Sequence, residues 1–143
     1  MGTVSTIATI LGQPRAGRRL NEPTSLATEV KKGLPFHSLE SVAARYGLPL
    51  NVIGPVLGIP SRTLARRKRE GQLRADESDR LGRLARLLVH ADDTFGDPAK
   101  VGKWLQRENR ALGHVTPLSL LSTDAGTLAV DQILGRIDHG VFS

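Results

Sequence analysis

Cysteine is absent from all 143 residues, which removes disulfides, thiolate metal ligands and thiol nucleophiles together and points to a reducing, cytoplasmic setting. Aromatic side chains are scarce at 3%, with Trp104 the sole tryptophan, so there is little to stack on unpaired bases or to line a cation cage. Single-stranded nucleic acid is therefore a poor match. Long apolar runs are missing too. The stretch Val4 to Leu11 is interrupted by threonines and lacks a preceding basic residue, so it reads neither as a membrane span nor as a signal peptide, and no membrane partner is expected. Alternating apolar and polar residues, the mark of a half-buried strand, do not occur, and no segment repeats at a period of ~20 residues or more.

Negative charge is in deficit: 14 Asp+Glu stand against 20 Lys+Arg, a net charge of +6 that favours polyanions. Its placement is more informative than its total. Ser61 to Glu70 carries Arg62, Arg66, Arg67, Lys68 and Arg69 against Glu70 alone, whereas from Ala111 onward Arg136 faces Asp124, Asp131 and Asp138. One region suits phosphates and the tail does not.

The apolar residues recur at helical spacing, and the fold class is all-α, a helical bundle. Residues 1–23 mix Gly12, Pro14, Gly17 and Pro23 with Arg15, Arg18 and Arg19 and read as a flexible arm, with a DNA-brushing arm as the second reading. Residues 24–92 read as a DNA-binding unit. A helix from Thr24 carries Leu26 and Val30 and ends at Gly33; the next is capped by Ser38, carries Leu39, Val42, Ala43 and Tyr46, and stops at Gly47. Asn51 to Leu57, a Gly58-Ile59-Pro60 turn and Ser61 to Glu70 follow. Asp76 to about His90 shows a Leu81, Leu84, Leu88 stripe, with Arg80, Arg83 and Arg86 on a solvated side. Residues 93–143 read as a small C-terminal helical region. Asp97-Pro98 starts one helix there, Thr116-Pro117 a short one through Leu121, and a final helix from Asp124 carries Val130, Ile133, Leu134 and Ile137 toward Val141 and Phe142.

The middle of the chain has the parts of a helix-turn-helix, in which two helices cross closely around a tight turn. Ile53 and Leu57 face inward, Gly54 lets the helices approach, Gly58 sits at the turn, Ile59 fills the space beneath it and Leu64 anchors the second helix. The apolar position expected three beyond Leu64 is occupied instead by Arg67. At about 100° per residue, Arg62, Arg66 and Arg69 lie opposite Leu64. With Ser61 and Thr63 at the N-terminal end, they form a face for reading base edges in the major groove of duplex DNA, while Arg67, Lys68 and Arg74 suit backbone phosphates. A solvated basic face is the competing reading. Two-fold symmetric half-sites are the usual target of such helices, so a homodimer is expected.

Enzyme signals fail on geometry, and neither a cofactor nor a metal is expected. His37, His90, His114 and His139 are far apart, none with a second ligand at helical metal spacing. Gly96 through Gly102-Lys103 superficially resembles a phosphate loop, but five residues separate the glycines and Trp104 replaces the hydroxyl residue. Asp92-Asp93, in a loop-like stretch, and Asp131 with Asp138 are carboxylate pairs without a nucleophile or an oxyanion donor nearby.

Trp104-Leu105, Asn109, Leu112-Gly113, Thr116-Pro117-Leu118, Leu120-Leu121, Gly126, Val130, Leu134, Arg136-Ile137 and His139-Gly140-Val141 together resemble the C-terminal domain of MbcA/ParS/Xre antitoxins, from about Val101 to the end. The helix-turn-helix before it resembles the Xre-like half of the same family. The resemblance implies a type II antitoxin that covers the active site of a RES-domain toxin, one that consumes NAD⁺ or transfers ADP-ribose, and that represses their shared operon. It further implies a higher-order toxin-antitoxin complex. Beside it, the stripe through Leu134 toward Val141 and Phe142 fits a helix-in-groove partner and equally fits packing on the chain's own core. Gly135 and Gly140 would admit another backbone, and Asp131, Arg136, Asp138 and His139 would meet a polar pocket. A stand-alone regulator whose C-terminal region dimerises is the alternative function.

Overall fold

The computed structural model describes residues 5–13 and 18–140. Its order is α1 (Ile7–Ile10), α2 (Arg18–Asn21), α3 (Pro23–Lys32), α4 (Phe36–Tyr46), α5 (Leu50–Val56), α6 (Ser61–Glu70), α7 (Ala75–Phe95), α8 (Pro98–Leu105), two 3-10 turns (Arg110–Leu112 and Leu118–Leu120) and α9 (Asp124–Asp138). The fold is all-α, and no strand occurs among the described residues.

α7 is the axis. Its 21 residues extend about 30 Å, and α1, α3, α8 and α9 pack around it. Leu81, Leu84, Ala85, Leu88 and Ala91 are buried along it, while Asp76 and Glu77 in its first turn suit the positive end of the helix dipole. The helix runs a turn past the expected end near His90, because no breaker intervenes before Gly96 and Ala91 and Asp92 are themselves buried. Asp92-Asp93 therefore lies within a helix and not in a loop-like stretch. Asp92 is buried, accepting the Tyr46 hydroxyl at 2.7 Å and an Arg45 N–H at 3.3 Å, while Asp93 is exposed. Burial and the hydrogen bond to Asp92 both push the Tyr46 hydroxyl pKa upward.

The N-terminal segment departs from the loose arm expected of it. Thr6 caps α1 by accepting from the Thr9 backbone N–H at 3.1 Å, and Ala8, Ile10, Leu11 and Leu20 are buried against the bundle. Ser41 Oγ donates to the Ile10 carbonyl and Gln13 Nε2 to Ser38 Oγ, both at 3.0 Å. Apolar residues at short helical spacing hold the segment despite its glycines and prolines. Arg15, assigned to the arm, lies outside the described residues.

Two starts also differ. α4 begins at Phe36 behind Pro35, and Ser38 is buried in its first turn instead of capping it. Thr116-Pro117 opens a 3-10 turn, Leu118–Leu120. Asp97 does cap α8, accepting from Ala99 N at 3.0 Å with Pro98 as first residue. Within the stretch that superficially resembles a phosphate loop, Gly102 lies where any Cβ would strike the Tyr46 carbonyl, so that glycine lets α8 seat on the end of α4.

Candidate DNA-binding and partner-binding surfaces

α5 and α6 meet as the sequence requires. A Cβ on Gly54 would come within 2.8 Å of Leu64 Cδ1 and 2.9 Å of the Ile59 carbonyl, so only glycine permits this crossing. Gly58 turns the chain at φ +69°, and Ile53, Leu57, Ile59 and Leu64 are all buried. Ser61, Arg62, Arg66, Lys68 and Arg69 are exposed and Thr63 is half-buried at the helix start. Among the described residues Arg62, Arg66, Lys68 and Arg69 have no acidic partner within salt-bridge distance, which leaves a row of cations open to phosphates and base edges.

Arg67 does not belong to that row. It is 4% exposed, donates from Nε to Glu77 Oε1 at 2.8 Å and from Nη1 to Glu70 Oε1 at 3.2 Å, and so cannot reach a phosphate. Three residues beyond Leu64 is the same side of the helix, and the guanidinium fills the place of the missing apolar residue. The hydrogen bond to Glu77 outweighs burial and raises the already high arginine pKa, so the charge persists inside. Glu77 Oε1 also accepts the Arg74 backbone N–H at 2.8 Å, tying the end of α6 to the start of α7.

α9 presents two sides. Val130, Ile133 and Leu134 are buried against the bundle, and Leu134 at 0% exposure is removed from any partner, because it is the centre of the packed stripe. Asp131, half-buried, and Asp138, exposed, are both engaged by α7: Asp131 Oδ1 lies 2.7 Å from His90 Nδ1, and Asp138 Oδ2 lies 2.6 Å from His90 Nε2. Hydrogen bonds from Thr94 and then from His90 hold the Asp138 carboxyl below its ordinary pKa. On the opposite side Leu128, Gln132, Arg136 and His139 are exposed, and nothing lies within 4 Å of a Cβ built on Gly135. Leu128, 57% exposed, stands at the edge of a groove of about 510 Å³ floored by Leu26, Val30, Gly82 and Leu87. Gly140 is exposed; Val141 and Phe142 lie outside the described residues.

The family described as the antitoxin Xre-like helix-turn-helix domain matches residues 25–86, and the antitoxin Xre/MbcA/ParS C-terminal toxin-binding domain matches residues 90–140. An antitoxin Xre of Yersinia enterocolitica is 38% identical over 84% of this chain and 82% of its own length. The chain belongs to the Xre/MbcA/ParS antitoxin family. A second antitoxin Xre, from Photorhabdus laumondii, is 38% identical over 80% of the chain and 78% of its own, and a Prs ADP-ribosylating antitoxin of a Sphingobium species is 27% identical over 80% and 78%.

The antitoxin thus has a helix-turn-helix and a toxin-binding domain, and α7 runs from one matched region into the other. Arg80, on the side that the Leu81 stripe leaves to solvent, donates to the Leu57 carbonyl at 3.1 Å and bears on Gly58, bracing the turn between α5 and α6. The four-residue separation of Arg80 from Asp76 was legible, since the two pair at 3.7 Å; its reach across to α5 had no local signal. Arg83 likewise bridges Asp79 at 3.2 Å and Asp124 at 2.9 Å, joining α7 to the start of α9.

Proposed function

We propose that this antitoxin neutralises a RES-domain toxin, one that consumes NAD⁺ or transfers ADP-ribose, and represses its own operon from the cytoplasm. It acts by binding and not by catalysis. α6 lies in the major groove of operator DNA with Ser61, Arg62, Thr63, Arg66 and Arg69 toward the bases and Lys68 toward phosphate, and a homodimer reads paired half-sites. The outward row of α9, Leu128, Gln132, Gly135, Arg136 and His139, faces the toxin, and the chain from Gly140 onward covers its active-site entrance.

The observation that carries this reading is the sorting of arginines on α6: Arg62, Arg66 and Arg69 stand in solvent while Arg67 is locked inside. The buried Arg67–Glu77 pair fixes the helix, and the outward cations, without an acidic partner among the described residues, form the cationic edge that duplex DNA would meet. The outward row of α9 supports the toxin assignment because the core does not consume it. The name of the Sphingobium relative supports the ADP-ribose chemistry.

Co-expression with the product of the neighbouring gene, followed by purification through a tag on one chain and an assay of NAD⁺ loss, tests the reading. A stable complex with suppressed NAD⁺ loss is expected, and removal of residues 139–143 should preserve folding while weakening neutralisation. A neighbour that neither co-purifies nor loses activity would favour a stand-alone regulator.

A further inference from the structure

His90 bridges α7 to α9 through both of its ring nitrogens. Nδ1 meets Asp131 Oδ1 at 2.7 Å and Nε2 meets Asp138 Oδ2 at 2.6 Å, so one ring spans two turns of α9. The second Asp138 oxygen accepts the Thr94 hydroxyl at 2.6 Å. A neutral imidazole has one N–H and can donate to only one carboxylate; its other nitrogen would aim a lone pair at the second. Only the imidazolium donates to both, and both bonds are then charge-assisted.

We propose that protonated His90 is the pin that fixes the C-terminal half of α9 on α7, presenting the outward row that ends at His139 in one orientation until the ring loses its proton. The pin is a property of this chain alone; only its effect on toxin capture rests on the function proposed above. Asp131 and Asp138 are the charged groups acting on the ring, and no group of α1, α3 or α8 contributes among the described residues. Arg86 and Asp93 near it on α7 are exposed, and His139 acts on Asp138.

Burial opposes the ring's charge, but the bonds to Asp131 and Asp138 outweigh it, so His90 titrates above its ordinary value of 6.5. A raised value means that the pin is fully engaged below that ordinary value and is lost as pH climbs through the raised one. Asp138, lowered from 3.8, keeps its side of the pin at mildly acid pH and gives it up only as pH falls through that lowered value. Release is therefore expected only as pH climbs above the ordinary histidine value of 6.5.

The test is a ¹⁵N-resolved imidazole titration of the full chain from about pH 5 to 10, with amide hydrogen exchange of residues 134–138 corrected for the intrinsic pH dependence of exchange. His90 should titrate above its ordinary value of 6.5, and α9 should lose several-fold protection at that midpoint, with residues 81–88 unaffected. Asp138→Asn, which keeps shape but removes a charge, should move the His90 midpoint down and shift the exchange break with it; His90→Gln should abolish the break. Should His90→Gln fail to fold, Asp138→Asn alone decides. A His90 midpoint at or below 6.5, or α9 protection without a break at that midpoint, would overturn the proposal.

Discussion

Arg66 and Arg67 are neighbours in sequence with opposite fates, and that contrast sets the first prediction. Arg66→Ala removes an exposed cation and should leave the melting temperature nearly unchanged while lowering operator affinity by about 1–3 kcal/mol. Arg67→Ala strands the buried Glu77 carboxylate and should cost about 3–5 kcal/mol of stability. Thermal melts beside anisotropy titrations check both; a destabilised Arg66→Ala or an undisturbed Arg67→Ala would reverse the assignment. The clue to Arg67 was available, since it occupies a position where the motif wants an apolar residue. The composition of the segment, dense in cations, drew it to the outer face instead. His90 offered no such clue, because its partners lie 41 and 48 residues away and no periodicity connects them.

Elements were legible wherever a breaker or a cap bounded a clear stripe, as at Asp97-Pro98 and across the turn from Gly54 to Leu64. They were misread where composition stood in for spacing: glycines and prolines near the N-terminus hid the buried Ile10 and Leu11, and the carboxylates of Asp92-Asp93 disguised the end of α7. Helix packing also separates two glycines that look alike. At Gly82 a Cβ would make ordinary contacts of 3.6–3.9 Å with Val30 and Leu26, so Gly82→Ala should stabilise the chain by about 1 kcal/mol through helix propensity. At Gly102 the same change drives a methyl group into the Tyr46 carbonyl, and the melting temperature should fall by several degrees as α8 is pushed from α4. Arg80→Ala, which frees the Leu57 carbonyl and the Gly58 turn, should weaken DNA binding although Arg80 itself is not placed at the DNA. Operator titration of that variant at constant folding, followed by far-ultraviolet dichroism, checks it.

Across the whole molecule, α7 joins the two matched regions, so one continuous helix carries the helix-turn-helix at its start and α9 along its later turns. The account holds that the two surfaces work separately: cations on α6 for duplex DNA, the outward side of α9 for another protein. The sequence showed the charge asymmetry behind this division but not which side of α9 was free, because an apolar stripe specifies burial without saying against what. The most direct measurement is fluorescence anisotropy with the duplex upstream of the antitoxin's own gene, comparing the unmodified chain, Arg62→Ala/Arg66→Ala and Gly135→Arg at fixed salt. The account predicts a loss of at least about tenfold for the double α6 variant, and no change for the α9 variant. Equal affinity for all three, or a loss confined to Gly135→Arg, would contradict it.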